Sequence, residues 1–405
     1  MNTELNFPRR LLAGLTALAL LLMLALPVWA EGEETEKLPV SINSVEDLLQ
    51  LVADCRLDSW SEDRTVDLNT DLDLTGVDFA GIPTFSGTFD GNSHTISGLS
   101  LVDDGSVTGF FRYIQADGVV HDLTIRGRSM PSGSRTTVGG IVGSNAGTLI
   151  NCRFEGVASG ASIVGGIAGT NLSSGTINNC TTTGSVYGAH FIGGIVGENH
   201  GTIESCTFNG SVSGKRSVGG VVGRNRSSGV VRACEASGAI FGQNMTGGIV
   251  GENFGSIVSC RGRAYVNIES TDPSIDLSNL NLEFSLDLAK LSRADTLNTA
   301  TDTGGIAGYS SGAIASSTNY AAVGYQHIGY NIGGVVGRSS GQVLACSNEG
   351  AICGRKDVGG IAGQMEPYIR MEISDGLLQQ LKTQLNELSG LVNTATNHAE
   401  GGSNE

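Results

Sequence analysis

The sequence predicts an all-β parallel β-helix, a solenoid with about one three-strand coil per repeat of 26–29 residues, an N-terminal capping helix and a C-terminal helical tail. Three observations predict it. Gly supplies 60 of the 405 residues, about twice its usual ~7% share. The pattern Gly-Gly-[Ile/Val]-[Val/Ala]-Gly recurs eight times. Between copies lie only short β-prone pieces broken by Gly or Asn turns, too short for helices. Other classes drop out on composition. With Pro at 7 and no Gly at every third position, the chain is not collagen. A hydrophobic content of 40% is too high for a disordered chain. A net charge of -16 argues against nucleic acid or an anionic membrane surface as partner, because both select positive footprints.

Residues 1–30 form the first element. Arg9 and Arg10 precede an apolar run from Leu11 to Leu26, and Val28-Trp29-Ala30 offers a cleavage site. This is the three-part pattern of a secretory signal peptide, with an uncleaved anchor as the other outcome. No second apolar run is long enough to span a membrane, so the expected location is secreted or cell-surface. Residues 31–60 read as an acidic linker and a helix. Ser44-Val-Glu-Asp47 caps a stretch with Leu48, Leu49, Leu51 and Val52 on its apolar side, placed to cover the open end of a solenoid. Residues 61–135 read as irregular first coils, with a turn at Asp90-Gly91 and a degenerate repeat at Thr108–Phe111.

The repeats proper fill 136–270 and 303–366. Their glycine pairs are Gly139-Gly140, Gly165-Gly166, Gly193-Gly194, Gly219-Gly220, Gly247-Gly248, Gly304-Gly305, Gly333-Gly334 and Gly359-Gly360, spaced 26, 28, 26, 28, 57, 29 and 26 apart. The repeat from Gly193 contains three β-prone pieces, Gly194–Val196, Thr202–Cys206 and Ser211–Ser213. Each has one or two inward positions and cannot bury itself. Stacking solves this, since equivalent strands pair at ~4.8 Å per layer around one apolar interior. The 28-residue repeats gain their extra pair at one turn, where Asn171–Gly175 and Asn225–Gly229 replace Asn145–Gly147 and Asn199–Gly201.

Two columns follow from this register. Asn145, Asn171, Asn199, Asn225 and Asn253 lie six residues after the first Gly, and Asn both tolerates tight turns and stacks into amide ladders. Cys152, Cys180, Cys206, Cys234, Cys260 and Cys346 form the second, with Ser317 in one coil. Stacked neighbours ~5 Å apart at Cα are within disulfide reach. The favoured reading is nevertheless free buried thiols acting as small apolar residues. No Cys-x-x-Cys is present to bind zinc. Cys55 precedes the array, and Cys353 falls on a different strand.

Residues 271–302 are an insertion with Leu277, Leu280, Leu282, Leu286, Leu288 and Leu291, on one face of the array and hence a place to look for binding. In 367–405, Leu378, Leu381, Leu385, Leu388 and Val392 start a heptad seam that could dock on the last coil or mediate self-association, before a polar tail.

These glycine motifs resemble the GLUG repeats of exported bacterial surface proteins, over about 139–363, with Phe85–Gly98 similar to the lead-in of such arrays. The resemblance implies a parallel β-helix on an exported protein. Such repeats also occur in the non-catalytic N-terminal part of IgA-specific zinc metalloendopeptidases, so it equally implies a targeting region of a larger enzyme.

Catalytic motifs are sparse. The histidines are His94, His121, His190, His200, His327 and His398, and none starts His-Glu-x-x-His. Gly-x-Ser-x-Gly at Gly308–Gly312 and Gly337–Gly341 falls on the repeat's own turn, without the helix a nucleophile elbow requires. Glu198, Arg224 and Glu252 share one column. Two coils would place the carboxylates ~9–10 Å apart, near the inverting-glycosidase range, but the intervening Arg224 suggests a charge-alternating ladder on a solvated face. Asp67, Asp71, Asp73 and Asp78 offer calcium-type ligands without an EF-hand spacing. Lys215-Arg216 and Arg355-Lys356 read as exposed turn charges. Tyr187 and Phe241, outward and two coils apart, are the candidate binding aromatics.

The expected function is that of an exported, non-enzymatic β-helix serving as cell-surface spacer and adhesion or binding module, without cofactor or metal, for an extracellular protein or glycan. The alternatives are the targeting region already mentioned and a carbohydrate-active β-helix enzyme.

Overall fold

The computed structural model describes residues 39–102, 105–133, 136–268 and 300–366, together with 383, 386 and 389. The signal segment, nearly all of the 271–302 insertion and the leucines of the C-terminal seam lie outside the described residues. No helix among the described residues is long and apolar enough to cross a membrane.

The chain winds as a right-through stack of parallel strands in four sheets of 10, 11, 10 and 9 strands. One coil shows the plan. Val196–Asn199 belongs to sheet 1, Thr202–Glu204 to sheet 2, Thr207–Ser213 to sheet 3 and Arg216–Gly219 to sheet 4. The parallel β-helix is therefore as the sequence predicts, but each coil has four strands rather than three. The fourth, Arg216–Gly219, runs up to the glycine pair. Its sequence buries only one apolar side chain, Val218, beside the polar Ser217, too little for a period-2 hydrophobic signal.

Each corner has a physical cause. Between sheets 2 and 3 the chain turns through left-handed residues immediately before the Cys column: Asp122, Asn151, Asn179, Ser205, Ala233, Ser259, Ser316 and Ala345, all with φ between 49° and 56°. Between sheets 4 and 1 the glycine pair is required by crowding. A Cβ on Gly193 would meet the carbonyl of Val196, and one on Gly194 would enter the Phe208 ring across the core. The interior is filled coil by coil by residues such as Ile203, Cys206, Phe208, Val212 and Val218, all fully buried. At the N-terminal end it widens to take Phe79, Phe85, Phe89, Phe110 and Phe111, with Phe85 and Phe111 centroids 5.4 Å apart.

The first coils are more regular than expected. Val40–Ile42 already pairs with Val66–Leu68 in sheet 2, so the stack begins within the segment read as linker and cap. Phe111 takes the place of Val142 in the sheet-1 register. The helix Val45–Asp54 is present, with the Ser44 hydroxyl accepting from the Asp47 N–H at 3.2 Å. It buries Leu48 and Leu51, leaves Val52 half-buried and turns Leu49 outward. At the other end Val358, Ile361 and Met365 are exposed, whereas Ile332, Val335 and Ser339 one coil earlier are buried in the same columns.

Candidate functional site

The inner Asn column forms a continuous amide ladder. Asn145 Nδ2 donates to Asn171 Oδ1 at 2.8 Å, Asn171 to Asn199 at 2.9 Å, Asn199 to Asn225 at 2.9 Å and Asn225 to Asn253 at 2.8 Å. Asn253 then donates to the Ser310 hydroxyl at 3.0 Å. The second amide proton of each closes its own turn, as in Asn199 Nδ2 to Gly201 O at 3.1 Å. These residues are inside the fold and hold it together; they face no ligand. The Cys column is likewise interior. Cys152, Cys180, Cys206, Cys234 and Cys260 are buried, and the Cys206 Sγ donates to Glu204 O at 3.3 Å. Cys346 and Cys353 are half-buried. Burial, then the adjacent Cys152 and Cys206 thiols, pushes Cys180 well above the ordinary thiol range.

The Glu198–Arg224–Glu252 column has the expected register. Its surroundings differ from the solvated face inferred above. Glu198 is 7% exposed and Glu252 5%. Glu198 is held by Arg226 Nε at 2.7 Å and His200 Nε2 at 3.0 Å, and Glu252 by Arg224 Nε at 2.7 Å and the Ser217 hydroxyl at 3.1 Å. Arg224 in turn lies over the Phe191 ring, 3.7 Å from its centroid. Ser217 and Phe191 on sheet 4 cover the Glu252–Arg224 pair, while Arg226 and His200 cover Glu198. Each carboxylate is committed to its own cation, an arrangement that serves cohesion between coils better than proton transfer. The same device recurs lower down, where Arg338 bridges Asp302 and Glu366 over Tyr309.

The acidic residues Asp67, Asp71, Asp73 and Asp78 are not gathered into one site. Asp71 accepts from Thr95 N at 2.8 Å and lies 3.0 Å from His94 Nδ1, while Asp73 closes a turn with Thr75. A different group is brought together: Asp90, His121 and Asp122. His121 Nδ1 is 2.8 Å from Asp122 and 3.4 Å from Asp90. These three groups could hold a cation, and His121 Nδ1 already faces both carboxylates. The Lys215-Arg216 and Arg355-Lys356 pairs are exposed, as expected. Tyr187 and Phe241 do share one column with Ser213 between them, but both are half-buried, with Tyr187 Oη 4.0 Å from Met130 Sδ.

The most site-like feature went unread in the sequence. Sheet 3 bends along a column of glycines, Gly127, Gly156, Gly184, Gly210 and Gly238, with φ from 99° to 158°. A Cβ on Gly156 would strike the Gly127 carbonyl, and one on Gly184 the Gly156 carbonyl, so these coils require glycine there, whereas Leu99 and Ala264 take the column's place in the flanking coils. The result is an open groove of about 1230 Å³ running across the strands, with bare backbone as its floor. It crosses six coils, about 24 Å at ~4.8 Å per layer. Arg126, Glu155, Thr183 and Asn209 line one side and Arg128, Val157 and Ser185 the other; the turn at Thr75–Asp78 and Val102 close its N-terminal end. The signal was legible: a Gly recurs seventeen residues after the first Gly of the pair, or nineteen in the longer repeats.

No family model matches the chain. It is 30% identical to halomucin of Haloquadratum walsbyi over 34% of this chain, a stretch that spans 2% of halomucin. A crystal structure of a Bacteroides ovatus protein, provisionally named an immunoglobulin A1 protease, is similar over 69% of this chain and 77% of that one, with 17% identity and a TM-score of 0.41.

Proposed function

We propose that this protein is an exported, non-enzymatic β-helix that acts as a cell-surface spacer and binding module for an extracellular glycan or protein. The single observation that carries the reading is the groove on sheet 3: a lateral, solvent-open channel crossing six coils, lined by arginines, hydroxyl and amide side chains together with Val77, Leu99, Val102 and Val157. A rigid stack supplies reach, and its repetition supplies one equivalent contact per coil, which suits a repetitive or extended ligand. The two best carboxylate candidates for catalysis are instead consumed in internal ion pairs. The test is to purify residues 31–405 and screen them against immobilised glycans and extracellular proteins, with polysaccharide digestion assayed in parallel. Saturable binding without product release is the expected result. Reproducible product release would replace the reading with that of a carbohydrate-active enzyme.

A further inference from the structure

We infer that the groove on sheet 3 binds an extended acidic polysaccharide, with Arg126, Arg128 and Arg153 at its N-terminal end receiving the anionic groups. The inference rests on the binding-module reading above and names its ligand class. In a chain of net charge -16, this end of the groove gathers three guanidiniums against two carboxylates, Asp78 and Glu155. Arg126 and Arg153 share one partner: Glu155 accepts from Arg126 Nε at 2.6 Å and from Arg153 Nη1 at 3.2 Å. The arginine side chains remain about half exposed, at 56% and 49%, so their other N–H groups face solvent. Arg128 is exposed and has no carboxylate partner among the described residues. Planar forks of this kind match carboxylate and sulfate oxygens.

The direction and lining of the groove select the polymer. A peptide would add to a sheet edge, but the groove crosses strands whose N–H and C=O groups are already paired along the stack. Nucleic acid carries a phosphate on every nucleotide and needs many of them neutralised, more than three guanidiniums supply. A neutral glycan would favour aromatic platforms, and the lining contains none. Beyond the arginines, the exposed Thr183 and Asn209 continue the wall with hydroxyl and amide groups that suit sugar hydroxyls. Each coil advances by ~4.8 Å, comparable with one sugar ring of an extended chain.

The test measures binding of the purified chain to polygalacturonate and dextran sulfate, with dextran and single-stranded DNA as neutral and non-glycan polyanion probes. At least one acidic polysaccharide should bind and dextran should not. The carboxylate and sulfate arms then identify the anionic group. The triple variant Arg126→Ala, Arg128→Ala, Arg153→Ala should weaken binding at least tenfold, while Lys215→Ala with Arg355→Ala on another face should leave it unchanged. Glu155→Gln should tighten binding severalfold by releasing two guanidiniums. Matching circular dichroism melts establish that the exposed arginines are not needed for folding. The inference is overturned if neither acidic polysaccharide binds, if the triple variant binds like the parent, or if DNA binds as well as the polysaccharides. Binding of dextran or of a protein that ignores the triple variant would end this inference yet keep the binding-module reading. An absence of any saturable ligand would end both.

Discussion

Asn171 and Asn199 lie one coil apart in the core and are joined by a 2.9 Å amide hydrogen bond, each fully buried. Each ladder member is donor to the next coil and acceptor from the last, so removing an interior rung orphans two groups at once. Asn199→Ala should leave Asn171 Nδ2 without its acceptor and Asn225 Oδ1 without its donor, at about 2–4 kcal/mol for two unsatisfied buried polar groups. Asn145 is different. Its Oδ1 has no partner, because Ile114 occupies the equivalent place in the preceding coil. Asn145→Ala removes that orphan as well as a donor, and should cost less. Urea unfolding of the two variants decides this; an equal loss would show that the ladder contributes no more than its packing.

The glycine motif should not be uniformly intolerant. Gly334 would place a Cβ against the Gly360 carbonyl and the Asn348 side chain, whereas Gly360 in the same motif position has nothing within 4 Å. Gly334→Ala should therefore destabilise by about 1–3 kcal/mol, the usual cost of core overpacking. Gly360→Ala should be neutral or slightly stabilising, because it restricts the unfolded chain at no steric cost. Thermal melts of the two variants compare them directly. A comparable loss in both would mean that backbone conformation, not the neighbouring coil, imposes the motif.

How much of this was legible follows from the same geometry. The period, the one-coil-per-repeat stack, the Asn ladder and the interior Cys column could be read because each is a residue type recurring at a fixed offset. The helix Val45–Asp54 was legible through its Ser44 cap. The fourth strand was not, since Arg216–Gly219 buries one apolar side chain, Val218, next to the buried polar Ser217, and so shows no hydrophobic alternation. The burial of Glu198 and Glu252 was hidden because it depends on the side chains folded over them, Phe191 and Ser217 over the Glu252–Arg224 pair and Arg226 and His200 over Glu198. The sheet 3 groove is a case where the signal existed, in the column containing Gly156 and Gly184, but was masked by a chain rich in glycine throughout.

Acid should loosen the first coils before it acts by general protonation. The hydrogen bond from His121, then that from Asn151, holds Asp122 below the usual carboxylate range. Asp71 is held down by the Thr95 N–H and then by His94. A carboxyl whose folded value is depressed contributes stability that is fully present above its unfolded value and is lost as pH falls through the folded one. These groups are at the surface, so the effect is small for each. The measurement is a carboxyl NMR titration with hydrogen exchange in residues 65–130. Ordinary midpoints for Asp71 and Asp122 would refute the pairing with His94 and His121.

The cysteines give the sharpest separation between interior and surface. Six thiols, Cys55 and the five column members from Cys152 to Cys260, are buried, and only Cys346 and Cys353 have partial access to solvent. Burial, then the nearby Asp54, raises Cys55 to about 12, so that it carries almost no thiolate at neutral pH. Since the thiolate is the reactive form, both access and ionisation protect it. Native protein should therefore label rapidly at Cys346 and Cys353, and the other six should label only at the rate of unfolding. Peptide mapping after a short alkylation pulse reads this out, with a denatured sample as the full count. If the native protein from an oxidising compartment instead shows column cysteines that resist alkylation even when denatured, adjacent coils are linked by disulfides. The chain would then owe part of its stability to cross-links rather than to packing alone.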